Sequence, residues 1–262
     1  MAAFVDLYTE GDSFLHRLDP RVKILAVMLL SVIALMLAEL VELLLFLGFI
    51  FLLLLSSRVS LRKSAFSLKF IGRVMVMIVV LWPLFDPSGT PVIVSFGPLK
   101  VTEPGVWRGI MAAVRIGCLA TVWYILMFTT SQRDLVRALV KMGLRFDYGL
   151  ALSISLRFIP TFGAIVESIT DAQRARGLEL DKGAILKRSR NYVAVLVPTI
   201  ATALRTSNTL SLALQSRAYG ARRDRTYLRD FRMTAADGVA VVAVIALFSV
   251  TVITKYGLGW SI

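Results

Sequence analysis

Val22-Lys23-Ile24-Leu25-Ala26-Val27-Met28-Leu29-Leu30-Ser31-Val32-Ile33-Ala34-Leu35-Met36-Leu37-Ala38 is the stretch that decides what kind of chain this is. Beyond Lys23 it is apolar except for one serine, which is the composition of a membrane-spanning helix. Pro20 disfavours helix at Asp19, so the helix is expected to start at Pro20 or Arg21. Glu39 and Glu42 interrupt the run, and Leu43–Leu55 reads as a second span coming back through the bilayer. The two form a hairpin with a short acidic tip. The first run continues into another apolar run without a small-residue cleavage site, so it reads as a retained helix and not a secretory signal.

The whole chain agrees with that local reading. Its 262 residues are 57% hydrophobic with a mean hydropathy of +0.74, far above an ordinary globular domain. The net charge is +13, so the basic residues must be segregated from the apolar runs. A basic balance can signal nucleic acid, but a nucleic-acid binder has no need of several bilayer-length apolar segments. No nucleic-acid partner is expected. In a membrane protein the same charge marks the cytoplasmic face. The single cysteine, Cys118, excludes an internal disulfide and a cysteine-based metal cluster, and reads as a packed thiol.

Downstream, Arg58, Arg62, Lys63, Lys69 and Arg73 occur with no acidic residue among them. The positive-inside rule makes this loop cytoplasmic and so places the N-terminus inside. Leu61, Ala65, Phe66 and Leu68 suit a segment lying flat at the interface. A third span is expected over about 71–85. Pro87, Gly89, Pro91, Gly97 and Pro98 then mark a loop, in which Val92-Ile93-Val94 alternates like a small outer hairpin. A fourth span covers about 106–130 and the last 239–254. That makes five spans, N-terminus in and C-terminus out.

Residues 131–235 differ in character. They carry 18 Lys/Arg against 8 Asp/Glu, a net of +10 out of +13. Leu135, Val136, Leu139, Val140 and Met142 recur at helical spacing opposite basic residues. Helices are expected at roughly 132–143, 147–175 and 185–218, with a short piece near 222–231. Arg157, Glu167, Arg205 and Asn208 would be costly at the bilayer centre, which favours the cytoplasm or the interface for these helices. The expected organisation is therefore 1–130 with four spans, 131–235 as a set of long amphipathic helices, and 236–262 with the last span.

Two short stretches in the middle region stand out. Asp171-Ala172-Gln173-Arg174-Ala175-Arg176-Gly177 ends one apolar helix, and Gln215-Ser216-Arg217-Ala218-Tyr219-Gly220 ends the next. Each places an arginine between small residues, which leaves the guanidinium unshielded. Proline-threonine pairs, Pro160-Thr161 and Pro198-Thr199, precede them. Arg174, Arg176 and Arg217 suit a solvated basic surface or contact with lipid headgroups. They suit equally an insertion into a groove on a partner, with the guanidinium forking onto an acidic group.

Enzymatic chemistry has little to stand on. His16 is the only histidine and cannot build a histidine-rich metal site, and there is no G-x-x-x-x-G-K-[ST] phosphate loop. Carboxylates are nearly absent from the expected spans, which argues against an ion-driven carrier. Arg115, about a third of the way into the fourth span, reads as a bundle-facing or snorkelling arginine, or as a contact to a neighbouring membrane subunit.

Four stretches resemble the transmembrane (T) component of energy-coupling factor transporters, the family of cobalt- and biotin-associated permeases. They are Leu15–Lys23 before the first helix, Phe128-Thr129-Thr130-Ser131 with Asp134-Leu135 and Ala138-Leu139, Arg157-Phe158-Ile159-Pro160, and Ala172–Gly177. The last carries the family's first Ala-Arg-Gly motif on Ala175-Arg176-Gly177. The second motif falls on Ser216-Arg217-Ala218, where serine and alanine depart from the family pattern. The resemblance implies an all-α integral membrane protein and a non-enzymatic coupling subunit. Two ATP-binding cassette ATPases would use ATP and Mg, and a separate membrane subunit would capture a vitamin or transition-metal ion. This chain would bind no cofactor itself. The competing classes are a substrate-translocating permease of a conventional ABC importer, and an intramembrane lipid-modifying enzyme, for which no carboxylate cluster is found.

Overall fold

The computed structural model describes residues 11, 13–57, 61–86, 90–96, 99–179, 185–221 and 233–257. Among these the chain is all helix apart from one hairpin. A single turn, α1 (Phe14–Arg17), leads into α2 (Pro20–Met36) and α3 (Leu40–Ser56). Then come α4 (Leu61–Phe85), the strands β1 (Val92–Phe96) and β2 (Leu99–Thr102), and α5 (Glu103–Thr129). The last four helices are α6 (Gln132–Lys141), α7 (Phe146–Ala175), α8 (Ile185–Ser216) and α9 (Ala235–Gly257).

Each of the five expected spans is a helix, and α2 begins at Pro20 as its sequence requires. Asp19 caps it, its Oδ1 accepting from the Arg21 N–H at 2.9 Å. α4 starts ten residues earlier than the expected span, joining the anticipated interfacial segment to it as one 25-residue helix. The alternating Val92–Val94 piece does form an antiparallel hairpin, with Val94 opposite Val101 and Phe96 opposite Leu99. The expected piece near 222–231 lies outside the described residues.

Among the described residues, four helical stretches are long and apolar enough to cross a membrane: Leu68–Phe85, Glu103–Thr129, Phe146–Ala175 and Ala235–Lys255. α2 and α3 are 17 residues each. The stretch in α7 is one that the charges of Arg157 and Glu167 had argued out of the bilayer. Arg157 and Glu167 are the only charged residues between Asp147 and Asp171, so the apolar residues around them dominate the mean hydropathy.

Contacts divide the chain into two compact units. The larger takes in α1 to α6, the hairpin and α9. Its core is built by α2 (Val27, Leu30, Ile33, Ala34), α3 (Leu43, Phe46, Ile50, Leu54) and α5 (Val114, Cys118, Val122, Ile125, Leu126). Each set recurs every three or four residues, so each helix offers one stripe inward. The opposite faces stay apolar: Leu45, Leu52, Val76, Val80, Val242 and Ile253 are exposed, as lipid-facing surfaces should be.

Polar groups close this unit in two layers. At the start of α2 the buried Lys23 donates from Nζ to the Thr129 carbonyl at 2.9 Å and the His16 carbonyl at 3.2 Å. Beside it the Asp19 N–H donates to Asp237 Oδ1 at 2.7 Å. At the far end of α2, Arg115 Nη2 donates to the Leu37 carbonyl at 2.8 Å, and Lys255 Nζ donates to the Met36 carbonyl. Two cations thus satisfy the last carbonyls of α2 and its negative dipole end. Arg115 faces the bundle. Seventeen residues at 1.5 Å each put the layers about 25 Å apart, close to the roughly 30 Å thickness of a hydrocarbon core.

α4 lies against α5 along a row of small residues, Gly105, Gly109, Ala113 and Gly117, spaced by four. A Cβ at Gly109 would stand 3.2 Å from Trp82 Cβ, and one at Gly105 3.0 Å from the Asp86 carbonyl oxygen. Close backbone approach of this kind is how helices bind one another in lipid, where no hydrophobic drive separates protein from solvent.

Candidate functional site

The smaller unit contains α7 and α8, and the two arginine stretches are the ends of these helices. α7 stops at Ala175, with Arg176 as its cap residue (φ −82°, ψ 6°) and Gly177 beyond it at φ +87°. The Gly177 N–H donates to the Arg174 carbonyl at 2.9 Å and the Leu178 N–H to the Gln173 carbonyl at 3.0 Å. That pair of bonds is a Schellman motif, which satisfies carbonyls a helix end would otherwise orphan.

α8 ends in the same way. Ser216 is its last residue, Arg217 occupies the cap position, and Ala218 sits beyond it at φ +56°. The Ala218 N–H donates to the Gln215 carbonyl at 2.9 Å, and the Tyr219 N–H to the Leu214 carbonyl at 3.0 Å. The departure from Ala-Arg-Gly therefore leaves the backbone geometry intact. It puts an alanine in a left-handed conformation, which costs about 1–2 kcal/mol for a residue with a Cβ. Gly220 (φ +90°) continues the turn but does not end the helix.

Arg174, Ala175, Arg176, Gly177, Ser216, Arg217 and Ala218 are all exposed. Arg174 lies 3.7 Å from the Asp171 carboxylate, one turn earlier on α7. Arg176 and Arg217 make no side-chain hydrogen bond or ion pair among the described residues. Their five N–H donors are thus available to a planar acceptor such as a carboxylate.

The two helices run antiparallel. Near the end of α7, Gln173 Nε2 donates to the Ala194 carbonyl at 3.2 Å, and Asn191 Nδ2 donates to the Glu179 carbonyl at 2.8 Å. Near the start of α7, the Tyr219 hydroxyl donates to Asp147 Oδ1 at 2.8 Å, and the rings of Phe146 and Tyr219 lie 6.5 Å apart. The caps consequently sit at opposite ends of the pair, on the order of 40 Å apart by helical rise. The two similar stretches are thus the two ends of one helix pair.

Of the other stretches singled out in the sequence, two meet in the larger unit. Lys23 from Leu15–Lys23 binds the carbonyl of Thr129 from Phe128–Ser131. Ser131 then caps α6, its Oγ accepting from the Asp134 N–H at 3.2 Å and donating to Asp134 Oδ2 at 2.7 Å. These residues build a helix junction. Arg157 is exposed on α7, and Pro160 lies inside that helix, where the Phe158 and Phe162 rings approach to 5.7 Å.

Sequence reasoning passed over Asp237, Asp147 and Tyr219. Thr234-x-x-Asp237 was legible as a capping box, and Asp237 Oδ2 does accept from the Thr234 N–H at 2.8 Å. Asp147 and Tyr219 carry no local signal, because they are 72 residues apart.

The fold and the paired caps define a class: an all-α integral membrane protein that offers two exposed arginine ends on one antiparallel helix pair. Comparison with known proteins places it further. The cobalt transport protein family CbiQ matches residues 11–228. The energy-coupling factor transporter transmembrane protein EcfT of Brevibacillus brevis is 33% identical over 97% of this chain and 96% of its own length. The EcfT proteins of Bacillus selenitireducens (33%, covering 96% of both chains) and Thermosediminibacter oceani (32%, covering 90% and 91%) are similar throughout as well. The chain belongs to this CbiQ/EcfT family of energy-coupling factor transporter transmembrane proteins. It is a membrane subunit of a transporter and not an enzyme.

Proposed function

We propose that the chain is a mechanical coupler between two cytoplasmic ABC ATPases and a separate membrane subunit that captures a vitamin or transition-metal ion. The observation that carries this reading is the pair of matching Schellman caps, each with an exposed arginine, at opposite ends of α7 and α8. Each cap fits a groove on one ATPase, with Arg176 or Arg217 forking onto a carboxylate inside it. Long stiff helices then pass the closing motion of the ATPase dimer to the capture subunit. Apolar side chains exposed along α8, among them Val193, Leu196, Val197, Ile200 and Leu204, supply a greasy face for that subunit or for lipid. ATP and Mg are used by the partners, and this chain holds no cofactor of its own. The caps face the cytoplasm of the plasma membrane, with the N-terminus on the same side.

Arg176→Glu tests the reading. The variant should insert and purify normally but lose ATP-driven uptake in the assembled transporter. Normal uptake by Arg176→Glu would remove the coupling role. Co-purification separates the alternative: ATPases together with a small hydrophobic membrane protein support the coupler, whereas ATPases with a soluble binding protein support a conventional permease.

A further inference from the structure

The second cap holds the geometry of the first without a glycine, and something must hold Ala218 in the left-handed region. In a Schellman motif the residue after the left-handed one commonly packs back onto the helix to secure the turn. In α7 that residue is Leu178; in α8 it is Tyr219. Tyr219 is half-buried, and three of its interactions converge on this turn. Its N–H closes the motif on the Leu214 carbonyl at 3.0 Å, its hydroxyl donates to Asp147 Oδ1 at 2.8 Å, and its ring lies against Phe146 at 6.5 Å. Asp147 belongs to the first turn of α7, where a carboxylate is favoured by the helix dipole, and Arg145 Nη2 lies 3.6 Å from its Oδ2. The anchor point thus belongs to the neighbouring helix, with an arginine within ion-pair distance of it.

We infer that Tyr219 is a positioning residue for the second docking cap: through Asp147 and Phe146 it clamps the turn so that alanine does at Ala218 what glycine does at Gly177. The clamp has a second consequence. It joins the Arg217 end of α8 to the start of α7, so a push on Arg217 is delivered to both helices. The inference rests on the docking role of the caps proposed above, but its structural half can be read without any partner.

The test is a double-mutant cycle in the full-length protein, read first without partners and then in the assembled transporter. Tyr219→Phe removes the hydroxyl bond and keeps the ring, and Ala218→Gly removes the strain that the clamp opposes. Hydrogen exchange of the 214–220 segment, in the full chain without partners, should speed up by roughly three- to tenfold in Tyr219→Phe, the loss expected of one solvent-exposed hydrogen bond. It should return towards the parent rate in Ala218→Gly/Tyr219→Phe. ATPase retention and uptake should follow the same order, lowered by Tyr219→Phe and restored by the added glycine. Asp147→Asn, which keeps an acceptor oxygen, should stay near the parent, and Asp147→Ala should mimic Tyr219→Phe. Exchange unchanged in Tyr219→Phe, or no recovery on adding Ala218→Gly, would overturn the inference. Arg217→Glu keeps the two readings apart. If it leaves ATPase retention intact, the docking reading fails while the exchange cycle still decides the clamp.

Discussion

Gly177 and Ala218 hold the same backbone position, one residue beyond the cap of α7 and of α8, and both are left-handed, at φ +87° and φ +56°. Only one of them has the side chain that this conformation disfavours.

Exchanging the two residue types should therefore act with opposite sign. Ala218→Gly should stabilise the end of α8 by about 1 kcal/mol, and Gly177→Ala should destabilise the end of α7 by a similar amount. No atom lies within 4 Å of a Cβ placed at Gly177, so that cost is backbone strain alone. Local hydrogen exchange at the two helix ends reads both effects. Equal protection in the two variants would contradict the assignment.

Charge reversal at the caps should split by end. If the caps dock as proposed, arginines on the order of 40 Å apart serve two separate grooves. Arg176→Glu and Arg217→Glu should each weaken one of two ATPase contacts, and the double variant should release both. Quantitative co-purification, with the two ATPases distinguishable by mass, measures this. Simultaneous loss of both ATPases from either single variant would point to one shared site.

The α4–α5 contact should reject bulk. Gly109→Leu must displace Trp82 and the Pro83 ring, at a cost of about 1–3 kcal/mol or separation of the helices. Gly163→Ala on α7 is the control, since open space surrounds its Cβ and alanine is the better helix former. Thermal unfolding in detergent should fall for the first and hold or rise for the second.

The polar layer at the start of α2 should be intolerant of deletion. Lys23→Met strands the buried carbonyl of Thr129, and Asp237→Ala strands the buried N–H of Asp19. Each loss should cost about 2–4 kcal/mol, because buried unpaired groups forfeit their hydration. Asp237→Asn, which retains an acceptor oxygen, should be milder. Yield of folded protein after membrane extraction gives the ranking.

Much of this was written locally. The bilayer-length apolar runs, Pro20 after a capping Asp19, and the small-flanked arginines of Ala175-Arg176-Gly177 and Ser216-Arg217-Ala218 each state their role within a few residues. Helix ends predicted near 175 and 218 came out at Ala175 and Ser216. Sequence reasoning passed over the row Gly105, Gly109, Ala113, Gly117, although its spacing of four is local, and its partner helix carries no local sign.

The sequence by itself determined the membrane class, the helices and the two arginine ends, because hydropathy, capping and helix termination depend on neighbours in the chain. Only the tertiary structure decided that Arg115 and Lys255 close one end of α2 while Lys23 and Asp237 close the other. It alone showed that Tyr219 meets Asp147, and that an alanine in the second motif still yields the first motif's turn. Those facts depend on groups brought together from distant positions, where burial makes an unpaired donor or acceptor costly enough to fix its partner.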